Sequence, residues 1–480
     1  MIMKLKPFVP ATGVERQFAW LSRFPRGSGN ERALSDAIRA RARARGMEAV
    51  QDELGNLLVR KRAAPGRENS APLLLQAHMD MVCTKIPGCE HDFAADPIRL
   101  MTDEDGWLCA DGTSLGADDG YGVAYMLELL FTDDVKHPPL ECLFTVQEEI
   151  GLIGAAKFDT SLVRARRMIS MDSGGETVAT VSTCGGRRID MTVTMRPVES
   201  AGKAFRISIG GLNGGHSAGE IHRGRANAVK LLGHVLMNLE PVGAVLTGAG
   251  GGEAANAIPR DAWATVRIPA EKMLDAATRF AELNERFGKL FHATDPGLTM
   301  AMKEIPDDGA QGYDPKCLQL VTALPDGVRY MEPERPGVVA LSDNVGTLRV
   351  SGDRMTVQCM IRSANAEYRD QLSEQVEAVG AAFGAEIDVE SDYPGMEYNP
   401  NSAMRGLFAQ LVREEFGCEL REESTHGGME IGYFARSIPG VDIVTLGPVS
   451  EGCHSPSEQM DLKSFNRMYG VLAKLVERTD

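Results

Sequence analysis

No stretch of the chain reaches the roughly 18 consecutive apolar residues that a membrane-spanning helix needs, so a spanning protein is not expected. Met1–Gly13 carries Lys4, Lys6 and two prolines but no apolar segment of signal-peptide length, which argues against secretion. Cysteine is sparse and unpaired in pattern. There are nine, an odd number, with no Cys-x-x-Cys spacing. A disulfide framework and a zinc finger are both disfavoured. Positive charge is also short: 51 Lys and Arg face 67 Asp and Glu, a formal net charge of -16. A nucleic-acid or anionic-membrane partner is therefore not expected. Internal repeats and low-complexity segments are lacking. These absences leave a cytoplasmic protein with reduced thiols as the expectation.

What is present suits a soluble globular enzyme: 43% hydrophobic and 25% charged residues. A length of 480 residues is long for one core and implies two domains. The centre of the pattern is Leu73-Leu-Leu-Gln-Ala-His-Met-Asp80, an apolar run that reads as a buried strand ending in a histidine and an aspartate. Side chains two apart on an extended chain share a face, which sets His78 beside Asp80. In open α/β sheets that end of a strand is where ligands bind.

The same grammar recurs. Leu140–Val146 is a strand that ends in Gln147-Glu148-Glu149, and Met168–Met171 is a strand that ends in Asp172. Between them, Leu115-Gly-Ala-Asp-Asp-Gly-Tyr-Gly122 opens a helix with Val123, Met126, Leu127 and Leu130 on its apolar face. Three strands finishing on acidic or histidine groups, with helices between, predict a mainly parallel sheet covered by helices.

Elsewhere the pattern predicts a helix over Val14–Arg45 stopped by Gly46, and a strand near Asn56–Arg60. Beyond Gly185-Gly186 the texture becomes that of a smaller α+β domain. It includes strands at Ala262–Ile268 and Val350–Ile361, a helix over Glu271–Leu290, and a loop-rich insert from about Phe291 to Pro336. The first texture returns after Tyr393-Pro-Gly, with a helix at Ala403–Phe416, a strand at Val441–Leu446, a loop with His454, and a last helix at Leu462–Val476. The expected fold is α/β: a split catalytic domain, residues 1–185 and 397–480, and an inserted α+β domain, residues 186–396.

His78, Asp118 or Asp119, Glu148 or Glu149, Asp172 and His454 form a ligand set for a pair of divalent ions. Mixed nitrogen and oxygen donors favour zinc, manganese or cobalt over magnesium or calcium. Three carboxylates and a hydroxide would balance the four positive charges. Paired ions about 3.5–4 Å apart share a carboxylate and a bridging water; one of Asp118 and Asp119 would be that carboxylate. Of the adjacent glutamates one can ligate while the other takes a proton from the water and passes it to a leaving nitrogen.

These motifs resemble a known family. His-Met-Asp80, Leu115-Gly-Ala-Asp-Asp-Gly, Gln147-Glu-Glu-Ile-Gly, Met171-Asp-Ser and Cys453-His-Ser-Pro match, in order, those of the dinuclear metallopeptidases related to carboxypeptidase G2 and the acetylornithine deacetylases. Asn213-Gly-Gly-His-Ser-Ala-Gly-Glu-Ile-His222, Asn256-Ala-Ile-Pro-Arg260, Ile361-Arg-Ser363 and Gly452-Cys-His-Ser-Pro-Ser-Glu-Gln459 are similar to the bacterial aminoacyl-histidine dipeptidases within it.

The resemblance implies hydrolysis of dipeptides with a C-terminal histidine, carnosine-like, by a metallo-dipeptidase with two divalent ions, zinc first and manganese or cobalt as substitutes. His78, Asp118, Glu149, Asp172 and His454 would ligate, with Asp118 bridging. Asp80 would orient His78, and Glu148 would be the general base. The inserted domain would be a lid that also makes a homodimer. There, His216 would steady the oxyanion, and Asn256 and Arg362 would grip the substrate carboxylate, a task suited to a guanidinium fork. His426 and Glu430 are candidates for the pocket wall. His91, His137, His234 and His292 carry no assigned role. Where relatives have an acidic run after the metal aspartate, this chain has Ser173-Gly-Gly-Glu176, a difference that bears on the substrate's amino end. Two alternatives remain: an N-acyl amino acid deacylase or broader di- or tripeptidase on the same scaffold, and a non-catalytic scaffold protein.

Overall fold

The computed structural model describes residues 5–479, so the expectation for the leader, Met1–Gly13, lies partly outside the described residues. The chain divides into two compact units. One takes the chain through Ser182, then Met396–Ser424 and everything from Met429; the other takes Thr183–Gly395 and Thr425–Gly428.

The first unit is built on a six-stranded sheet in the order Glu48–Gln51, Leu57–Lys61, Leu140–Thr145, Leu73–His78, Arg167–Ser170, Asp442–Thr445. The first two pairings are antiparallel and the other three parallel. Every residue of Leu73–His78 and Leu140–Thr145 is buried. Strands covered on both faces are mostly apolar, which is why these two lack regular polar alternation, with Gln76 and Glu141 as their buried polar interior residues.

Aromatic packing fixes the helices over this sheet. Phe465, on the Leu462–Arg478 helix, meets Phe18 edge-on at 5.9 Å and stacks on Tyr125 at 5.0 Å. The Tyr125 hydroxyl donates to the Phe465 carbonyl at 2.7 Å. One fully buried ring thus joins the helices Gly13–Leu21, Ala117–Phe131 and Leu462–Arg478. Phe465→Ala is expected to cost about 3–5 kcal/mol, measured as a lower denaturant midpoint of this unit.

The second unit carries a nine-stranded antiparallel sheet. Its core packs Ile207, Val266, Leu348 and Val357 against Leu232, Val235 and Leu236 of the helix Ala228–Leu239 and against Phe280 and Phe287 of the helix Met273–Leu290. Among the described residues no helix is long and apolar enough to cross a membrane.

Three local expectations need correction. Val14–Arg45 is two helices, Gly13–Leu21 and Arg32–Ala44. Pro25 cannot continue a helix, and Gly29 sits at φ 88°, so the chain leaves the helix at Ser22. The single strand expected at Val350–Ile361 is a hairpin, Val339–Ser351 and Arg354–Ser363, reversed at Gly352 with φ 58°. The loop-rich insert contains strands Thr299–Glu304 and Gly327–Met331 and a short helix Gln319–Ala323.

Candidate metal centre

The parallel register determines where the acidic groups fall. His78 pairs with Thr145, and Gln76 with Ser170, so neighbouring strands end in step. The chain beyond them delivers His78 and Asp80, Glu148 and Glu149, and Asp172 to one edge of the sheet. The helix Ala117–Phe131 starts at the same edge, behind Gly116 in the left-handed region. Asp118 and Asp119 are still non-helical there, and the peptide bond between them is cis. Both carboxylates therefore leave the chain before the regular helix begins.

Asp118 is the hub of the cluster. Its Oδ1 lies 3.2 Å from His78 Nε2 and its Oδ2 lies 3.5 Å from His454 Nε2. Each oxygen faces a different imidazole. Glu149 Oε1 is 3.0 Å from the same His454 nitrogen. Donor atoms of His78, Asp118 and Glu149 all lie within 4.8 Å of one another, a spacing that can hold a metal ion. Asp119 points elsewhere: it accepts the Gly122 amide at 3.2 Å, fully buried.

Asp80 stands behind the cluster. Its Oδ1 is 3.4 Å from His78 Nδ1 and accepts the Glu148 amide at 3.0 Å. Its Oδ2 accepts the Glu149 amide at 3.1 Å and the Ser28 hydroxyl at 2.7 Å. Burial alone would raise its carboxyl, but His78, Ser28 and the Glu148 amide hold it down at about 2. One carboxylate thus lies beside the histidine ring and pins the glutamate loop.

Electrostatics divide the cluster: Asp118, facing the two imidazoles, is held below the usual carboxylate range, while its neighbours are pushed up. Burial, reinforced by Asp172, Glu430 and Glu149, pushes Glu148 up to about 9. Burial and the Asp118 carboxylate push Asp172 up to about 7. The carboxylates of Asp118 and Glu149 push His454 up to about 10. Carboxylates crowded out of water resist ionisation together unless positive charge is placed among them. Imidazole and carboxylate donors at this spacing fit a divalent ion. His454 and Gln147 also sit at positive φ, 64° and 54°. Non-glycine residues in that region concentrate at functional sites.

Glu430, expected at a pocket wall, is buried against the middle of the sheet. Its Oε2 accepts from Gln76 Nε2 at 2.7 Å and from Thr145 Oγ1 at 2.6 Å, and burial pushes its carboxyl up to about 8. Its contacts are with the two central strands.

The remaining expected residues belong to the second unit. Gly215–His216 pairs with Ala257–Ile258, which joins the His216 and Asn256 motifs. The Ser217 amide also donates to the Asn256 carbonyl at 2.8 Å. His216 Nδ1 accepts the Ala218 amide at 3.1 Å. That leaves Nε2 as the protonated, donating nitrogen of an exposed ring, and partial burial and Arg362 shift the ring toward neutrality. Arg362 is buried, donating to Ser217 Oγ at 3.2 Å and to the Tyr393 hydroxyl at 2.8 Å. His426 is enclosed: Cys184 Sγ lies 3.0 Å from Nδ1 and Ser342 Oγ lies 2.7 Å from Nε2, and burial pushes its pKa down to about 3. Both of its ring nitrogens are engaged within this unit.

Sequence reasoning missed Ser28, Arg26 and Glu458. The first two fell inside the supposed Val14–Arg45 helix, where Pro25-Arg-Gly-Ser-Gly29 was the available signal for a loop. Glu458 lay inside a quoted motif without a role. Glu176, in the divergent segment after Asp172, is engaged by Arg467 Nε at 2.8 Å.

Residues 74–478 match the model of peptidase family M20/M25/M40. The chain is 33% identical over 469 residues to the cytosol non-specific dipeptidase of Escherichia coli (strain K12), covering 96% of each. The crystal structure of aminoacylhistidine dipeptidase from Vibrio alginolyticus superposes with a TM-score of 0.91 at 31% identity, covering 98% of this chain and 96% of that one. A tripeptidase of Staphylococcus aureus shares the fold at a TM-score of 0.55 and 18% identity. The chain therefore belongs to peptidase family M20/M25/M40 and is a peptide hydrolase.

Proposed function

We propose that this protein is a metal-dependent dipeptidase that prefers dipeptides with a C-terminal histidine. The observation that carries the metal part is Asp118, with one oxygen toward His78 and the other toward His454. His78, Glu149, Asp172 and His454 would hold two divalent ions with Asp118 shared between them, zinc first, with manganese or cobalt as substitutes. When bound, the ions supply an acidified water and polarise the scissile carbonyl.

The protein groups do the rest. Glu148 accepts the proton of the attacking water and returns it to the leaving nitrogen. Burial among carboxylates pushes its carboxyl up to about 9, and positive charge in the cluster works the other way. With ions bound among these carboxylates, the Glu148 carboxyl would be pulled down toward the range in which one group can serve as base and then as acid. Asp80 holds His78 and the glutamate loop fixed while this happens. From the second unit, His216 would donate its Nε2–H to the developing oxyanion. Arg362 and Asn256 would take the substrate carboxylate. The substrate class rests on the dipeptidase relatives, one of them named for aminoacyl-histidine substrates. We place the enzyme in the cytoplasm as a homodimer formed through the second unit.

Metal-stripped enzyme reloaded with zinc, manganese or cobalt tests the assignment on β-alanyl-histidine, glycyl-histidine, other dipeptides, tripeptides and N-acetylated amino acids. Hydrolysis confined to dipeptides, fastest with C-terminal histidine, is expected. Equal rates across dipeptides would remove the histidine preference. Faster release of acetate from acylated amino acids would make the protein a deacylase.

A further inference from the structure

The three segments that carry His78, Asp118 and His454 come from distant parts of the chain, and two buried charged residues grip all three. Glu458, four residues after His454, is 2% exposed. Its carboxylate accepts four consecutive amides: Leu115 and Gly116 on Oε2, both at 2.8 Å, and Ala117 and Asp118 on Oε1, at 2.8 and 3.3 Å. Successive amides converging on one anion form a cradle whose shape follows the anion. The amide of Asp118 itself is one of the four.

Arg26 grips the same turn from the other side. Its guanidinium, 1% exposed, donates to the carbonyls of Met79 at 3.0 Å and Asp80 at 3.1 Å, and to the carbonyl of Gly116. Gly116 is therefore held at both ends, N–H by Glu458 and C=O by Arg26. A Cβ at this residue would collide with Arg26 Nη2, and one at Gly120 would come within 2.8 Å of the same atom. The glycines of the Leu115-Gly-Ala-Asp-Asp-Gly motif make room for that guanidinium.

We propose that Arg26 and Glu458 are positioning residues that set the approach of Asp118 to His78 and His454, and so the affinity of the metal pair. The proposal rests on the reading of those three residues as ligands. An ordinary buried ion pair would explain charge burial but not the choice of partners. Every group these two side chains bind lies in a segment bearing a ligand or the residue that orients one. The rigid fork of arginine suits carbonyls presented from two different segments.

The test is metal affinity in Glu458→Gln, read by competition with a chromophoric chelator on the full chain well below its unfolding temperature. Glutamine keeps the volume but sets an NH2 group against two of the four amides. Zinc affinity is expected to fall on the order of 10–100-fold. At limiting metal kcat falls with KM for the dipeptide unchanged, and excess metal restores kcat. A folded Glu458→Gln with wild-type zinc affinity would overturn the proposal, whatever its melting temperature. Should the variant not fold, hydrogen exchange of metal-stripped wild type decides. Amides 115–118 exchange slowly if Glu458 holds them without metal; rapid exchange there would overturn the proposal. Wild type that takes up no metal in the same competition would overturn the ligand reading instead.

Discussion

Glu148→Gln lowers kcat by about 100- to 10,000-fold, the range of a lost general acid-base, while metal content and the KM of the dipeptide stay near wild type. The reason is geometric. Both glutamates donate their backbone amides to Asp80, at 3.0 and 3.1 Å, but it is Glu149 whose carboxylate oxygen lies 3.0 Å from His454. Amidation of the Glu148 side chain leaves its backbone hydrogen bond to Asp80 and the Glu149 carboxylate in place. In the proposed mechanism it removes the proton acceptor alone. Stopped assays with metal analysis on the same preparation check this. Loss of metal in parallel with activity would mean that Glu148 is a ligand.

Asp118→Asn produces the complementary phenotype: metal affinity falls more than about 100-fold, above the range for residues that merely orient a ligand, and activity disappears with it. Asparagine has one oxygen and can face one imidazole, not both. The charge shared by His78 and His454 is lost as well. Metal titration of the stripped variant checks the effect. Unchanged uptake of two ions would make Asp119, which spends one oxygen on the Gly122 amide, the shared carboxylate after all.

The contrast between these two variants depends on features with different legibility in the sequence. The strand ends were readable because buried parallel strands are mostly apolar, so the acidic and histidine groups at His78, Glu148 and Asp172 stand out at their ends. The division of labour between Glu148 and Glu149 was not readable from the pair alone. It depends on which of the two carboxylates faces His454, a matter of three-dimensional register, since both amides face Asp80. The loop with Arg26 and Ser28 was hidden by alanines and arginines on either side that favour helix, although Pro25 and Gly29 break it. Gly352 ends one strand and starts another within a single apolar pattern, because both strands of the Val339–Ser363 hairpin are similarly buried. His426 was legible as a histidine in a glycine-rich turn, but not its enclosure by Cys184 and Ser342, which come from distant strands.

The account stands on a shared carboxylate between two metal ions, and anomalous diffraction from crystals of the zinc-loaded protein measures that directly. It predicts two zinc peaks flanking the Asp118 carboxylate, one bounded by His78 and the other by Glu149 or His454. A single peak, or two peaks that both avoid Asp118, would contradict it.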